Sequence, residues 1–263
     1  MNRINTIIKK EWKEVFKNRM VLFSVIFLPL ILTAIPLGIL IGTGADPAIS
    51  ATNAEMPEQF NAFCPPSLAG GECFQVFMIS QFMVMFMIVP LAIPATIAAY
   101  SIVGEKTNRS LEPLLATPIS TSELLIGKSL AAVIPAILAT FAAFAIFVIG
   151  AWVIVSNPQL LAALIDARWL LSILVVGPLM AIMAVMVSVM VSSRVNDPRA
   201  AEQISMVVII PLLAVFFGQL AGVVIVNSRF VFIAALVLML TDIILVYLAV
   251  RLFQRETILT RWK

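Results

Sequence analysis

Six stretches of this 263-residue chain carry almost no formal charge. Runs free of Asp, Glu, Lys and Arg extend from Met20 to Ala45, Phe74 to Gly104, Ser129 to Ile165, Trp169 to Ser193 and Gln203 to Ser228. A sixth, Phe230 to Val250, is interrupted once, by Asp242. A membrane-spanning helix needs about 20 mostly apolar residues, so each run is long enough to cross a bilayer, and none comfortably holds two crossings. The reading is an all-α integral membrane protein with six transmembrane helices. The spans fall near 20–43, 76–102, 129–154, 169–192, 204–226 and 230–251, within a single transmembrane domain over 1–263. The polar N-terminus and the long first apolar run do not read as a cleavable signal.

Composition narrows the function classes. The chain is 62% hydrophobic and 12% charged, against about 45–50% and 25% in soluble domains. A soluble protein, a disordered chain and a nucleic-acid binder are excluded. Histidine is absent, which removes His-dependent zinc sites, Ser-His-Asp and Cys-His catalysis and histidine proton switches. Two cysteines allow at most one intrachain disulfide and no four-cysteine metal site.

The position of the charges sets an expected orientation. With the N-terminus inside, fifteen of the seventeen Lys and Arg residues fall on inner segments, leaving only Arg168 and Arg229 outside. This is the positive-inside pattern, and it puts both termini in the cytoplasm of a cell or inner membrane. The outer segments hold Asp46, Glu55, Glu58, Glu72 and Asp166. Prolines stand in every span but the last: Pro29, Pro36, Pro90, Pro94, Pro135, Pro178 and Pro211. Each removes a helical hydrogen bond that neighbouring groups must replace in lipid.

Residues 3–18 read as an amphipathic interfacial helix. Ile4, Ile7, Ile8, Trp12, Val15 and Phe16 share one side, Lys9, Lys10, Lys13 and Lys17 fill the opposite arc, and Glu11 and Glu14 lie near the boundaries. Such a helix lies in the membrane interface with its basic face toward anionic headgroups, and it can also present a face to a cytoplasmic partner.

The most specific stretch is the inner loop 104–127 between spans two and three. Ser110 is a plausible N-cap, and Pro113 is tolerated in a first turn. Leu111, Leu114 and Leu115 form an apolar face on a helix of one or two turns, which Thr117-Pro118 stops. Ser120 to Glu123 is S-x-x-E, a capping box that starts the next helix. These residues resemble the signature region of ABC-2 type transporter permeases. The shared elements are Glu105-Lys106, Ser110-Leu111-Glu112, Leu114-Leu115, Thr117-Pro118-Ile119-Ser120, Glu123-Leu124-Leu125 and Gly127-Lys128. The form Gly-Glu-Lys…Leu-Glu-Pro-Leu-Leu is similar to that of the sodium-efflux and drug-efflux branches, and Ser192 to Ser205 resembles the family's second inner loop.

The resemblance implies a coupling loop that docks on a separate ATPase subunit, with Glu105, Lys106, Ser110, Leu111, Glu112, Leu114, Leu115, Pro118, Glu123 and Lys128 as its candidate residues. It implies two ATPase subunits and a second permease copy, in a homo- or heterodimer. ATP and Mg are then expected on the partner ATPase, and no cofactor on this chain. One departure concerns the outer side. Family members often carry re-entrant helices between spans five and six, whereas here only Asn227, Ser228 and Arg229 separate two apolar runs. Either the fifth span turns back before Asn227, near Gly218, Gln219 and Gly222, or the element is missing. Gly127-Lys128-Ser129 imitates the end of G-x-x-x-x-G-K-[ST], but Ser122 stands where the first glycine is required, and the stretch opens a membrane helix instead of following a strand.

Three intramembrane polar residues are candidates for a substrate path. Asp242 is the only formal charge within a span, where it is costly by about 2.5–3.5 kcal/mol on insertion scales. It reads equally as a substrate or ion contact and as a packing hydrogen bond to Thr241 or a neighbouring hydroxyl. Gln81 and Gln219 could line a path, although packing is the simpler role for both. Cys64 and Cys73 fall in the outer loop 44–75, around Pro65, Pro66, Gly70 and Gly71. A disulfide and two free thiols both fit, and the closed turn favours the bridge. An aspartyl enzyme would need two facing carboxylates, and the spans supply one. An ion channel or ion-driven carrier without an ATPase would use Asp242 but leaves the loop from Glu105 to Lys128 without a role.

Overall fold

The computed structural model describes residues 3–17, 19–45, 64, 68, 71–107 and 120–252. Among these residues the regular structure is all helical. Helix α1 covers Arg3–Val15, α2 Arg19–Ala45, α3 Gly71–Phe86, α4 Val89–Thr107 and α5 Thr121–Ile154. Then follow α6 (Pro158–Leu164), α7 (Ala167–Leu171), α8 (Gly177–Ser192), α9 (Pro198–Ser205), α10 (Ile210–Leu220) and α11 (Ser228–Leu252). Among the described residues six helical stretches are long and apolar enough to cross a membrane: Val21–Gly44, Gly71–Ser101, Ser122–Ile154, Pro158–Ser192, Pro198–Leu220 and Ser228–Leu252. The protein is thus a multi-pass membrane protein with six candidate spans.

Prolines explain where these spans depart from straight helices. Pro178 cannot donate to the Leu174 carbonyl, and just before it the chain forms a π turn, Ser172–Val176, closed by the Gly177 N–H donating to Ser172 O five residues back. Pro211 likewise cannot reach the Val207 carbonyl. There the chain tightens into a 3-10 turn, Met206–Ile209, and the Ile210 N–H takes that carbonyl. Span two breaks between α3 and α4, where Met87 and Ile88 donate to Val84 O and Met85 O in a tight turn ahead of Pro90.

The fifth span ends before 226, by the earlier turn back near Gly218, Gln219 and Gly222 that the sequence also allowed. Its helix stops at Leu220. Gly222 takes a positive φ of 72°, which glycine adopts without a Cβ penalty. The N–H groups of Val223 and Val224 both turn back to Gly218 O. The chain then runs without helix to Asn227, whose side chain accepts from the Phe230 N–H to start α11. Among the described residues no re-entrant helix stands between these spans.

Packing is uneven. Span two lies at the centre, with α4 against α8, α5 and α9, and 72% of its most apolar window is buried, against 11% for span six. Helix α5 contributes a small-residue face in which Ala132, Ala136, Ala143 and Ala151 are buried. Small side chains let helix backbones approach closely in lipid, where dispersion and hydrogen bonds replace the hydrophobic drive. Side-chain bonds tie α9 into the same centre: Thr96 Oγ1 donates to Glu202 Oε1 at 2.6 Å, Ser188 Oγ to Ala95 O at 3.0 Å, and Ser205 Oγ to Ser188 Oγ at 3.2 Å.

Candidate functional site

Helix α1 is held against the bundle by its apolar stripe and by one charge. Ile7, Ile8, Glu11 and Val15 are its buried residues, and α1 packs mainly on α5. Gly127 makes the approach close: a Cβ there would stand 2.8 Å from Ile7 Cγ2 and 3.0 Å from Ile7 Cβ. The apolar face therefore meets protein, while Lys9, Lys13 and Lys17 stay exposed.

At the centre of this contact Lys128 Nζ stands 2.9 Å from Glu11 Oε1, and both side chains are 3% exposed. Ser101 completes a closed set: its hydroxyl accepts from Lys128 Nζ at 2.9 Å and donates to Glu11 Oε2 at 2.5 Å. Three elements thus meet at one buried charge pair: α1 through Glu11, the end of α4 through Ser101, and the start of α5 through Lys128. A buried pair gains its stability only when geometry and hydrogen bonds offset desolvation, and here both carboxylate oxygens are bonded.

A second tie lies beside the first, at the next residue of α1 and three residues on along α5. Trp12 Nε1 donates to Ala131 O at 3.0 Å. Pro135 is four residues beyond Ala131 and cannot supply the usual N–H, so the indole closes the carbonyl that the proline leaves open. At the start of α5 the capping box is formed: the Glu123 N–H donates to Ser120 Oγ at 3.2 Å and the Ser120 N–H to Glu123 Oε2 at 2.8 Å. Arg3 Nη1 lies 3.6 Å from the same Glu123 oxygen, a partly exposed pair.

Of the coupling candidates, Glu123 and Lys128 are therefore placed beside α1. Glu105 and Lys106 lie in the last turns of α4, their side chains outside the described residues. Ser110, Leu111, Glu112, Leu114, Leu115 and Pro118 also lie outside the described residues. What the sequence reading missed is Glu11, placed near the edge of the basic arc. Its spacing of four from Ile7 and from Val15 was the available signal.

The path candidates occupy a different part of the bundle. Gln219 Nε2 donates to Ser80 Oγ at 3.3 Å, joining α10 to α3. The Gln219 carbonyl oxygen, both amide atoms of Gln81 and both carboxylate oxygens of Asp242 are buried without a hydrogen-bond partner. Thr241 does not serve Asp242, because its hydroxyl donates to Val237 O of its own helix. Between α3, α7, α8, α10 and α11 lies an apolar slot of about 300 Å³, lined among others by Val84, Trp169, Met180, Val215 and Leu238.

At the other end of the bundle Cys64 and Cys73 are joined in a disulfide, with Cα atoms 5.2 Å apart. Nearby, Gln75 Nε2 donates to Thr43 Oγ1 and Asn157 Nδ2 to Glu72 Oε1, both at 2.7 Å. Among the described residues no group of three His, Cys, Asp or Glu side chains is placed to hold a metal ion.

Comparison with known proteins covers nearly the whole chain. The sequence profile of the ABC-2 family transporter proteins matches residues 5–256, from the first turn of α1 to beyond α11. No curated protein matches the chain. With six candidate spans and a family match of this extent, the chain belongs to the ABC-2 family of transporter proteins, as a transmembrane component.

Proposed function

We propose that this chain is the permease subunit of an ATP-driven exporter, moved by a separate ATPase subunit. The observation that carries the reading is the buried Glu11–Lys128–Ser101 set. Ser101 and Lys128 stand on the two helices that flank the 108–119 segment, where the family resemblance is strongest. A force applied to that segment reaches both helices and α1 as one body, because moving any of them alone would expose a buried charge. The ATPase docks around residues 105–123, with Leu111 and Leu115 as apolar contacts. ATP and Mg belong to that partner, and a second permease copy completes the assembly.

The excess of Lys and Arg on the segments flanking the α1 end supports a cytoplasmic side for both termini, the side of the soluble motor. Closure of the motor on ATP binding moves the joined helices, and the proline-adjusted spans rearrange to release substrate outward.

Co-purification from native membranes tests this reading. The chain is expected to retain an ATPase subunit, and Leu111→Glu with Leu115→Glu to lose it while membrane insertion persists. A chain that carries out transport in vesicles with no ATPase present would overturn the proposal and favour the carrier reading built on Asp242.

A further inference from the structure

The slot and Asp242 belong to one surface. On α11 the residues Val231, Ala234 and Leu238 line the slot, and Val231, Asp242 and Ala249 are the buried positions of the helix. Successive offsets of three or four residues keep these on one face. Asp242 stands one turn beyond Leu238, about 6 Å further along the axis. At the opposite side, Val84 and Val215 line the slot, and one turn beyond each are Ser80 and Gln219, which are bonded to each other.

Nothing described neutralises the Asp242 carboxylate. It is 6% exposed, and both its oxygens lack a partner. Of the elements packed most closely on α11, namely α8, the π turn and α7, only α7 carries a formal charge. That residue is Arg168, paired with Asp166 at 2.8 Å on the span's far end. On α11 itself Arg229 lies at the start, and Arg251 stands over the Tyr247 ring at 5.4 Å, nine residues beyond Asp242. A buried carboxylate without a counter-charge is expensive, and a cation arriving from outside the fold would relieve that cost.

The surroundings select the kind of cation. A small hard cation requires several oxygen ligands, whereas the slot one turn from Asp242 is lined almost wholly by apolar side chains, Met180 and Leu238 among them. A large organic cation needs only charge compensation and apolar contact. We propose that Asp242 and this slot form a binding site for an amphipathic cation, whose apolar body lies along α11 beside Trp169 and whose positive group meets the carboxylate. The proposal names a substrate class for the exporter reading and rests on it for the word substrate, but the binding itself does not require an ATPase.

Binding of radiolabelled tetraphenylphosphonium to the purified full chain in lipid nanodiscs, without ATPase, provides the test. The expected result is saturable binding, about tenfold weaker in Asp242→Asn and restored to within about threefold in Asp242→Glu. Neutral triphenylphosphine oxide should not displace it. Ala234→Phe, which fills the slot and leaves the carboxylate, should weaken binding as well. All variants are compared only as monodisperse protein with the elution profile and thermal unfolding of the unsubstituted chain. Absence of saturable binding, equal binding by Asp242→Asn, or displacement by sodium chloride at constant ionic strength would overturn the site while leaving the exporter reading intact. Cation binding by a chain that never retains an ATPase would do the reverse.

Discussion

Glu11 and Asp242 are both carboxylates almost removed from solvent, 2% and 6% exposed, and the protein treats them in opposite ways. Glu11 meets an ammonium and a hydroxyl, so its burial holds three helices together. Asp242 meets neither, so its burial adds nothing to cohesion. A charge that serves the fold is paired within the fold, and one left unpaired is a cost the fold carries for another reason.

That contrast breaks most sharply at Lys128. Lys128→Met leaves Glu11 buried and unpaired, and stability in detergent should fall by about 3–5 kcal/mol. Adding Glu11→Gln should recover much of the loss, which a double-mutant cycle on thermal unfolding would reveal. A cycle showing independent, additive effects would mean that the pair does not join α1 to α5.

The opposite sign is expected at Asp242. Asp242→Leu removes an unpartnered buried carboxylate, and unfolding should become less favourable by about 1–3 kcal/mol. A strongly destabilised variant would show instead that Asp242 is bonded in the working protein. Smaller again is Trp12→Phe, which keeps the apolar body and leaves the Ala131 carbonyl without a donor, at about 1 kcal/mol. In a Pro135→Ala background the backbone can supply that donor, so the same substitution should then cost less. Smallest is Arg3→Ala. The Arg3–Glu123 pair is largely open to solvent, and its loss should leave the unfolding midpoint almost unchanged, the more so at high salt.

Much of the bundle was legible in the sequence for a physical reason. Lipid forbids unpaired backbone and exposed charge, so charge-free runs and helices coincide. The capping box at Ser120 and Glu123 was legible because all its partners lie within three residues. Glu11 was not, because its partners lie 90 and 117 residues away, and no local spacing encodes them. The prolines announced irregular turns without saying which. At Pro178 the ladder lengthens to a π turn, at Pro211 it tightens to a 3-10 turn, and at Pro135 a distant indole takes the free carbonyl. The fifth span read as running to 226 because Val223 to Val226 are as apolar as the helix before them, while the alternative of a turn back near Gly218, Gln219 and Gly222 is the one the backbone makes. Of the candidate sites, Asp242 stood out in the sequence as a lone charge, whereas the slot beside it is assembled from five helices and has no linear signature.

The tie between Glu11 and Lys128 also has a consequence in time. Helix α1 leaves the ribosome well ahead of span three, and the residue that neutralises its buried acid follows 117 positions later. At synthesis rates of about 5–20 residues per second, that interval is roughly 6–23 seconds. During it α1 has no place to dock, and Glu11 stays in water or among lipid headgroups until span three has been inserted. Helix α1 is therefore fixed long after it is made, and its seating reports that the third span has arrived.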